Sequence, residues 1–93
     1  MDTYEINNII PKFGAMEHVH STIMRRPCWI LRLEIGRRGR LLVDIGDEKI
    51  GPHRIALSIV ISIQGMQGDS EICIETEYTY YYLRKLSSHS DCS

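Results

Sequence analysis

His18 and His20 have the spacing that most invites chemistry. In a strand an i, i+2 pair puts both imidazoles on one face, where they could grip a transition metal. His89-x-x-Cys92 offers two more ligands near the end of the chain. A structural zinc site needs four ligands at defined spacing, and neither pair sits in such a pattern, so no metal is expected. Cys28 and Cys73 have no base nearby in sequence, and no serine occupies a Gly-x-Ser-x-Gly turn. Asp44, Asp47 and Glu48 beside Lys49 are similar to the acid and lysine clusters of metal-dependent nucleases, yet the segment reads first as a solvated turn. Gly36-x-x-Gly39 joins two strands and lacks the helix N-terminus that a phosphate loop requires. The chain is therefore expected to hold no catalytic residue, metal or cofactor, and not to be an enzyme.

Binding is the class that remains, and local charge indicates where. The 93 residues carry 11 Lys and Arg against 12 Asp and Glu, so no global field draws the chain to nucleic acid or anionic lipid. Residues 25–54 nonetheless hold eight bases and four acids, whereas 69–77 hold four acids and no base. Arg25 and Arg26 stand near the start of a strand, and Arg37, Arg38 and Arg40 project from the hairpin tip that follows, a ribbon able to clamp phosphates. Glu71, Glu75 and Glu77 line the outer face of a later strand at roughly 6–7 Å intervals, close to a phosphate repeat along a nucleic-acid strand. Such a line would let a compact protein occupy the basic channel of a nucleic-acid-processing complex. Tyr78, Tyr80, Tyr81 and Tyr82 crowd the end of that strand, and Tyr81 falls on the Glu75 and Glu77 face as an interface anchor.

The elements that position these residues are short strands set off by turn signals. Ile55, Leu57, Ile59, Ile61 and Ile63 alternate with small or polar neighbours, and after Gly65-Met66-Gln67-Gly68-Asp69 the pattern returns through Ile72 and Ile74 to Tyr78 and Leu83. Pro27 opens a strand with Trp29, Leu31, Leu33 and Ile35 on one face, turned back at Arg38 into Leu41, Val43 and Ile45. That register sets Arg32 opposite Asp44, an attractive pair contributing about 0.2–1 kcal/mol. The expected core is Trp29, Leu31, Leu33, Val43, Ile45, Leu57, Ile59, Ile61, Ile72 and Ile74. Tyr4–Ile10 forms a first segment, and Met16–Met24 fits a strand or a short helix. The fold class is all-β or β-dominated α+β: an antiparallel meander of about five strands with a short N-terminal helix as an option. A single domain is expected over residues 1–86, with 87–93 a flexible polar tail.

Leu42-Val43-Asp44-Ile45, the loop to Arg54 and the hairpin Ile55–Leu83 with its Glu-Thr-Glu-Tyr return resemble the strands of the SecB-type export chaperones. The resemblance covers about 40 residues, and the arginine-rich first hairpin has no clear counterpart in that family. It implies a client-binding, sheet-associated module. From the residues themselves the first expectation is a small protein-binding inhibitor or accessory factor, of the kind phages and mobile elements encode. It would dock through the acidic and tyrosine strand or a free edge, and such edges would also let copies self-associate. A nucleic-acid-binding module using Arg37–Arg40 is the alternative. Three widely separated cysteines, an acidic N-terminus and no long apolar run lead us to expect a cytoplasmic protein, in the host cytoplasm if viral, without a membrane partner.

Overall fold

The computed structural model describes residues 2–86, and His89 and Cys92 lie outside them. Strands β1 (Tyr4–Pro11), β2 (Pro27–Arg32), β3 (Arg38–Val43), β4 (His53–Gln64), β5 (Glu71–Thr76) and β6 (Thr79–Lys85) form an antiparallel meander, and helix α1 (His18–Ile23) lies between β1 and β2. The sheet is strand-dominated, as expected, but it has six strands and closes into a barrel. β6 returns to pair with β1 from Tyr4↔Lys85 to Pro11↔Thr79. The open edges expected of a meander are thereby largely taken up.

The sixth strand comes from a turn that the tyrosine-rich run conceals. Glu77 and Tyr78 break what reads as one strand, and the buried Thr76 holds the break: its hydroxyl donates to the Thr79 carbonyl at 3.0 Å and accepts the Thr79 N–H at 3.1 Å. Tyr78 therefore sits in a turn, 58% exposed, and not beside Ile72 and Ile74.

A tightly curved sheet of six short strands needs bulges, and each one resets which residues face inward. Register shifts fall between Ile6 and Asn8, Ile30 and Arg32, Arg38 and Arg40, and Val60 and Ser62. In β2 the paired positions are Cys28↔Val43 and Ile30↔Leu41, so Cys28 and Ile30 face the core and Leu31 is 41% exposed. This overturns the register built on a turn at Arg38, which had put Trp29, Leu31 and Leu33 inside. The loop occupies 33–37, five residues earlier in pairing sum, and an odd offset inverts the face of every residue in the strand. Along β4, Leu57 and Val60 point inward with Ser58 and Ile59 between them, so Ile61 lies 46% exposed. Gly39 permits this close approach, because a Cβ there would sit 3.0 Å from Leu57 Cδ1 and 3.3 Å from Val60 Cγ2. Of the expected core, Val43, Leu57, Ile72 and Ile74 are buried, Trp29, Leu33, Ile45 and Ile59 are half-buried, and Leu31 and Ile61 are exposed. Tyr4, Ile6, Ile9, Ile23, Cys28, Ile30, Leu41, Val60, Tyr81 and Leu83 complete the interior.

Helix α1 closes a gap that the strands leave. β4 pairs with β3 from His53 to Ile59 but with β5 only from Val60 to Gln64, so the first half of β4 has one sheet neighbour. Ile23 of α1 is buried in the core, and the helix borders Ile55, Ala56, Thr79 and Tyr81 around a cavity of about 230 Å³. No helix among the described residues is long and apolar enough to cross a membrane.

The bulged register carries a direct test. Leu57→Ala removes side-chain volume from the interior and should destabilise by about 2–5 kcal/mol in urea denaturation. Ile61→Ala, on the outer face of the same strand, should stay within about 1 kcal/mol. A larger loss from Ile61→Ala than from Leu57→Ala would restore unbroken alternation along β4.

Candidate functional site: a basic sheet face and a polar groove

On the outside of β2–β3–β4 the cross-strand rungs gather positive charge. Trp29, Leu42 and Arg54 form one rung, and Arg32, Arg40 and Ala56 form the next. Arg38 follows on β3, opposite Ile59. The sequence register paired Arg32 with Asp44, but the structure sets it against Arg40, turning an expected attraction into a like-charge contact. Glu34 is the acid that approaches this cluster, with Oε1 3.9 Å from Arg32 Nε and 3.6 Å from Arg37 Nε. All of these side chains are well exposed, so the ion pairs are weak and screened.

The five arginines singled out in the sequence divide by role. Arg40 lies exposed on the face with no ion pair among the described residues, and Arg37 projects from the adjoining loop. Arg38 donates from Nε to the Leu57 carbonyl at 2.9 Å, capping backbone opened by the β4 bulge. Arg25 adopts a left-handed backbone (φ 65°), held by its N–H on the Ile6 carbonyl at 2.7 Å and by Nη1 on Asn7 Oδ1 at 3.1 Å. It is a joint between α1 and β2. Arg26 lies with Nη1 against the Gly46 turn. Arg32, Arg54 and Trp29 escaped the sequence reading because their membership depends on cross-strand neighbours. Strand parity would have found Arg32 and Arg40 had the bulge at Leu31 been legible.

The acidic line is less continuous than its spacing implies. Glu71 is exposed opposite Arg84, Glu77 belongs to the β5–β6 turn, and Glu75 is half-buried in a 2.6 Å ion pair with Lys12. Tyr81 is corrected outright: with Thr79 and Leu83 it faces the interior, 5% exposed, and its ring meets His20 edge-on. The turn at Glu77 and Tyr78 shifts the face of everything after it. Burial raises the Tyr81 phenol above its ordinary range. The hydroxyl lies 3.3 Å from His20 Nε2, and His20 Nδ1 accepts the Glu17 N–H at 3.4 Å. The second bond leaves the imidazole proton on Nε2, pointing at Tyr81. Because 16–24 contains a helix, His18 and His20 diverge and cannot share a metal. Among the described residues no three His, Cys, Asp or Glu side chains come together as ligands. Asp44 and Asp47 accept backbone N–H groups of Gly46, Lys49 and Ile50, which makes them turn formers.

Outside β5–β6–β1 the surface dips into a groove of about 510 Å³. Tyr82 is paired with Asn8 on one side and Cys73 on the other, and Cys73 in turn with Gln64. The Tyr82 phenol is held above its usual range, first by the charge a Cys73 thiolate would place beside it. The bulge after Ile6 turns Asn7 and Asn8 both outward, and both line the groove.

The two described thiols should separate cleanly in a labelling experiment. Burial pushes Cys28 up to about 12, so at pH 8 it is protonated and covered. Iodoacetamide followed by peptide mass mapping should mark Cys73 in the native protein and Cys28 only after denaturation. The same shift predicts alkaline instability. Unfolded Cys28 ionises near its ordinary value of 9.0 and the folded thiol near 12, so its stabilising contribution is complete below pH 9 and is lost as pH rises toward 12. Cys28→Ala should flatten that decline in an alkaline denaturation series.

Comparison of the chain with protein-family models, with curated proteins and with solved structures finds no match in any of the three.

Proposed function

We propose that this protein is a non-enzymatic binding module whose β2–β3–β4 face takes the phosphate backbone of a single-stranded nucleic acid. One observation carries the reading: Arg40 stands directly opposite Arg32, with Arg54 and Arg38 on the same face. Like charges opposed across a sheet destabilise it by roughly 0.2–1 kcal/mol, and an anion bridging two guanidiniums removes that repulsion while gaining charge-assisted hydrogen bonds. Successive same-face positions along β3 are roughly 7 Å apart, which suits a nucleic-acid strand laid along β3. The half-buried Trp29, its Nε1–H on Thr3 Oγ1 at 3.0 Å, places an aromatic ring on the neighbouring rung. The face presents sheet surface, not a long helix or arm that would enter a duplex groove. With a net charge of −1 the attraction is local, and binding should be modest and strongly salt-dependent.

A second reading, docking on a protein, has its own support. Phe13 is 73% exposed, and the Lys12 N–H donates to the Tyr78 carbonyl at 2.8 Å, bringing Phe13 beside the exposed Tyr78. Met16 and Val19 add exposed apolar surface from the neighbouring segment. That end of the barrel, with Glu77 in its turn, suits a protein partner better than the Glu71 and Glu75 line does.

Anisotropy of a fluorescein-labelled oligo-dT of about 20 nucleotides distinguishes the two. The wild type should bind at about 20 mM salt and weaken steeply as salt rises. Arg32→Ala with Arg40→Ala should weaken binding at least about tenfold and flatten the log–log salt slope by about 1.4, the loss of two phosphate contacts. Phe13→Ala should leave it unchanged. No binding by the wild type at low salt would remove the nucleic-acid reading.

A further inference from the structure

The groove over Tyr82 is a second concavity, and its chemistry differs from that of the arginine face. Its volume of about 510 Å³ lies within the roughly 300–1,000 Å³ range of small-molecule sites. Asn8 Oδ1 accepts the Ile9 N–H at 2.9 Å, and Asn7 Oδ1 accepts from Arg25 at 3.1 Å. Both carboxamides therefore keep their NH2 groups as donors toward this wall. The opposite wall carries Gln64, able to donate and accept, and the Tyr82 hydroxyl can also do both. Tyr82 is 36% exposed, so part of its ring is open to the groove.

Charge narrows the ligand further. At one end Arg84 is held by Glu5 at 3.1 Å and stands opposite Glu71 in the sheet register, so its charge is already countered. With Arg25 on Asn7 at the β1 wall, two guanidiniums and two carboxylates balance, and an anion gains no net attraction there. A peptide cannot enter by strand addition at the floor, since β6 is hydrogen-bonded on both sides, to β1 and to β5. The lining therefore favours an uncharged ligand that donates and accepts from neighbouring positions and presents an apolar face to a tyrosine ring.

Vicinal hydroxyls on a ring with a C–H face satisfy all three conditions. We propose that the groove binds a neutral saccharide, its C–H face against Tyr82 and its hydroxyls on Asn7, Asn8, Gln64 and Glu71. Glu71 accepts at the charged end, where it adds an acceptor to the donor amides of the β1 wall.

The test uses the full chain and three named probes: maltotriose, cellotriose and chitotriose. In ¹⁵N-labelled protein at about 10 mM sugar, at least one probe should shift the side-chain NH2 signals of Asn7, Asn8 and Gln64 while leaving backbone signals of β3 unmoved. Tyr82→Ala should weaken that binding at least about tenfold, and Tyr82→Phe, which keeps the ring, by less. Arg32→Ala with Arg40→Ala should leave it intact, which separates this site from the nucleic-acid reading. If none of the three sugars shifts the groove amides, or if glucose 1-phosphate occupies the groove more tightly than the neutral probes, the assignment is overturned. Equal binding by wild type and Tyr82→Ala would overturn it as well.

Discussion

Closing six short antiparallel strands on themselves demands more twist and bend than regular strands supply, and the bulges at Asn7, Leu31, Leu57 to Ser58 and Ile61 provide it. Both candidate sites follow from them. The bulge after Ile30 puts Arg32 outside against Arg40, and the bulge after Ile6 puts two consecutive asparagines outside, next to Tyr82. The β4 bulge between Leu57 and Val60 needs a glycine opposite it at position 39 and a guanidinium on its freed carbonyl. Removing a bulge would thus move candidate-site side chains as well as core ones.

The fold class was legible because it rests on local signals: period-two alternation, glycine turns and the absence of helical period after Met24. Long uninterrupted alternation was also where the reading failed. In β4, Ile59 and Ile61 look equivalent to Leu57, yet each lies in or beside a two-residue step that sends it outward. Nothing in a run of Ile, Val and Ser marks that step, since these residues suit a bulge as well as a ladder. The Glu77–Tyr78 turn was hidden similarly, because its staple is a threonine, a residue that favours strands. The candidate sites were less legible than the fold. Arginine content pointed to the right part of the chain, but only cross-strand register joins Arg32, Arg40 and Arg54. The groove had no sequence signal, since Asn7, Asn8, Gln64 and Tyr82 come from three distant segments.

Two polar latches show how so small a barrel keeps its ends shut. At one end the Tyr4 hydroxyl donates to the Asp69 carbonyl at 3.2 Å and accepts the Gly68 N–H at 2.7 Å, fastening the β4–β5 turn to β1. At the other, His20 and Tyr81 join the helix to β6. Each latch uses an aromatic side chain whose body fills the core while its polar tip meets a partner across the chain, which satisfies a buried group without adding a charge.

The pairing of β1 with β6 also constrains how the protein comes into being. β1 is made first, yet from Ile6 to Pro11 its sheet partner is a strand synthesised some seventy residues later, and β2 reaches it only at Tyr4 and Glu5. During synthesis β2, β3 and β4 can assemble as a local meander while β1 waits with an apolar face uncovered. Pairing β6 with β1 is a long-range closure, the kind of contact that slows folding and leaves an unpaired strand open to other chains. The Asn7-Asn8 bulge falls in the middle of the β1–β6 pairing, so the register that β6 must find is a broken one, set by two partial ladders and not by one regular alternation.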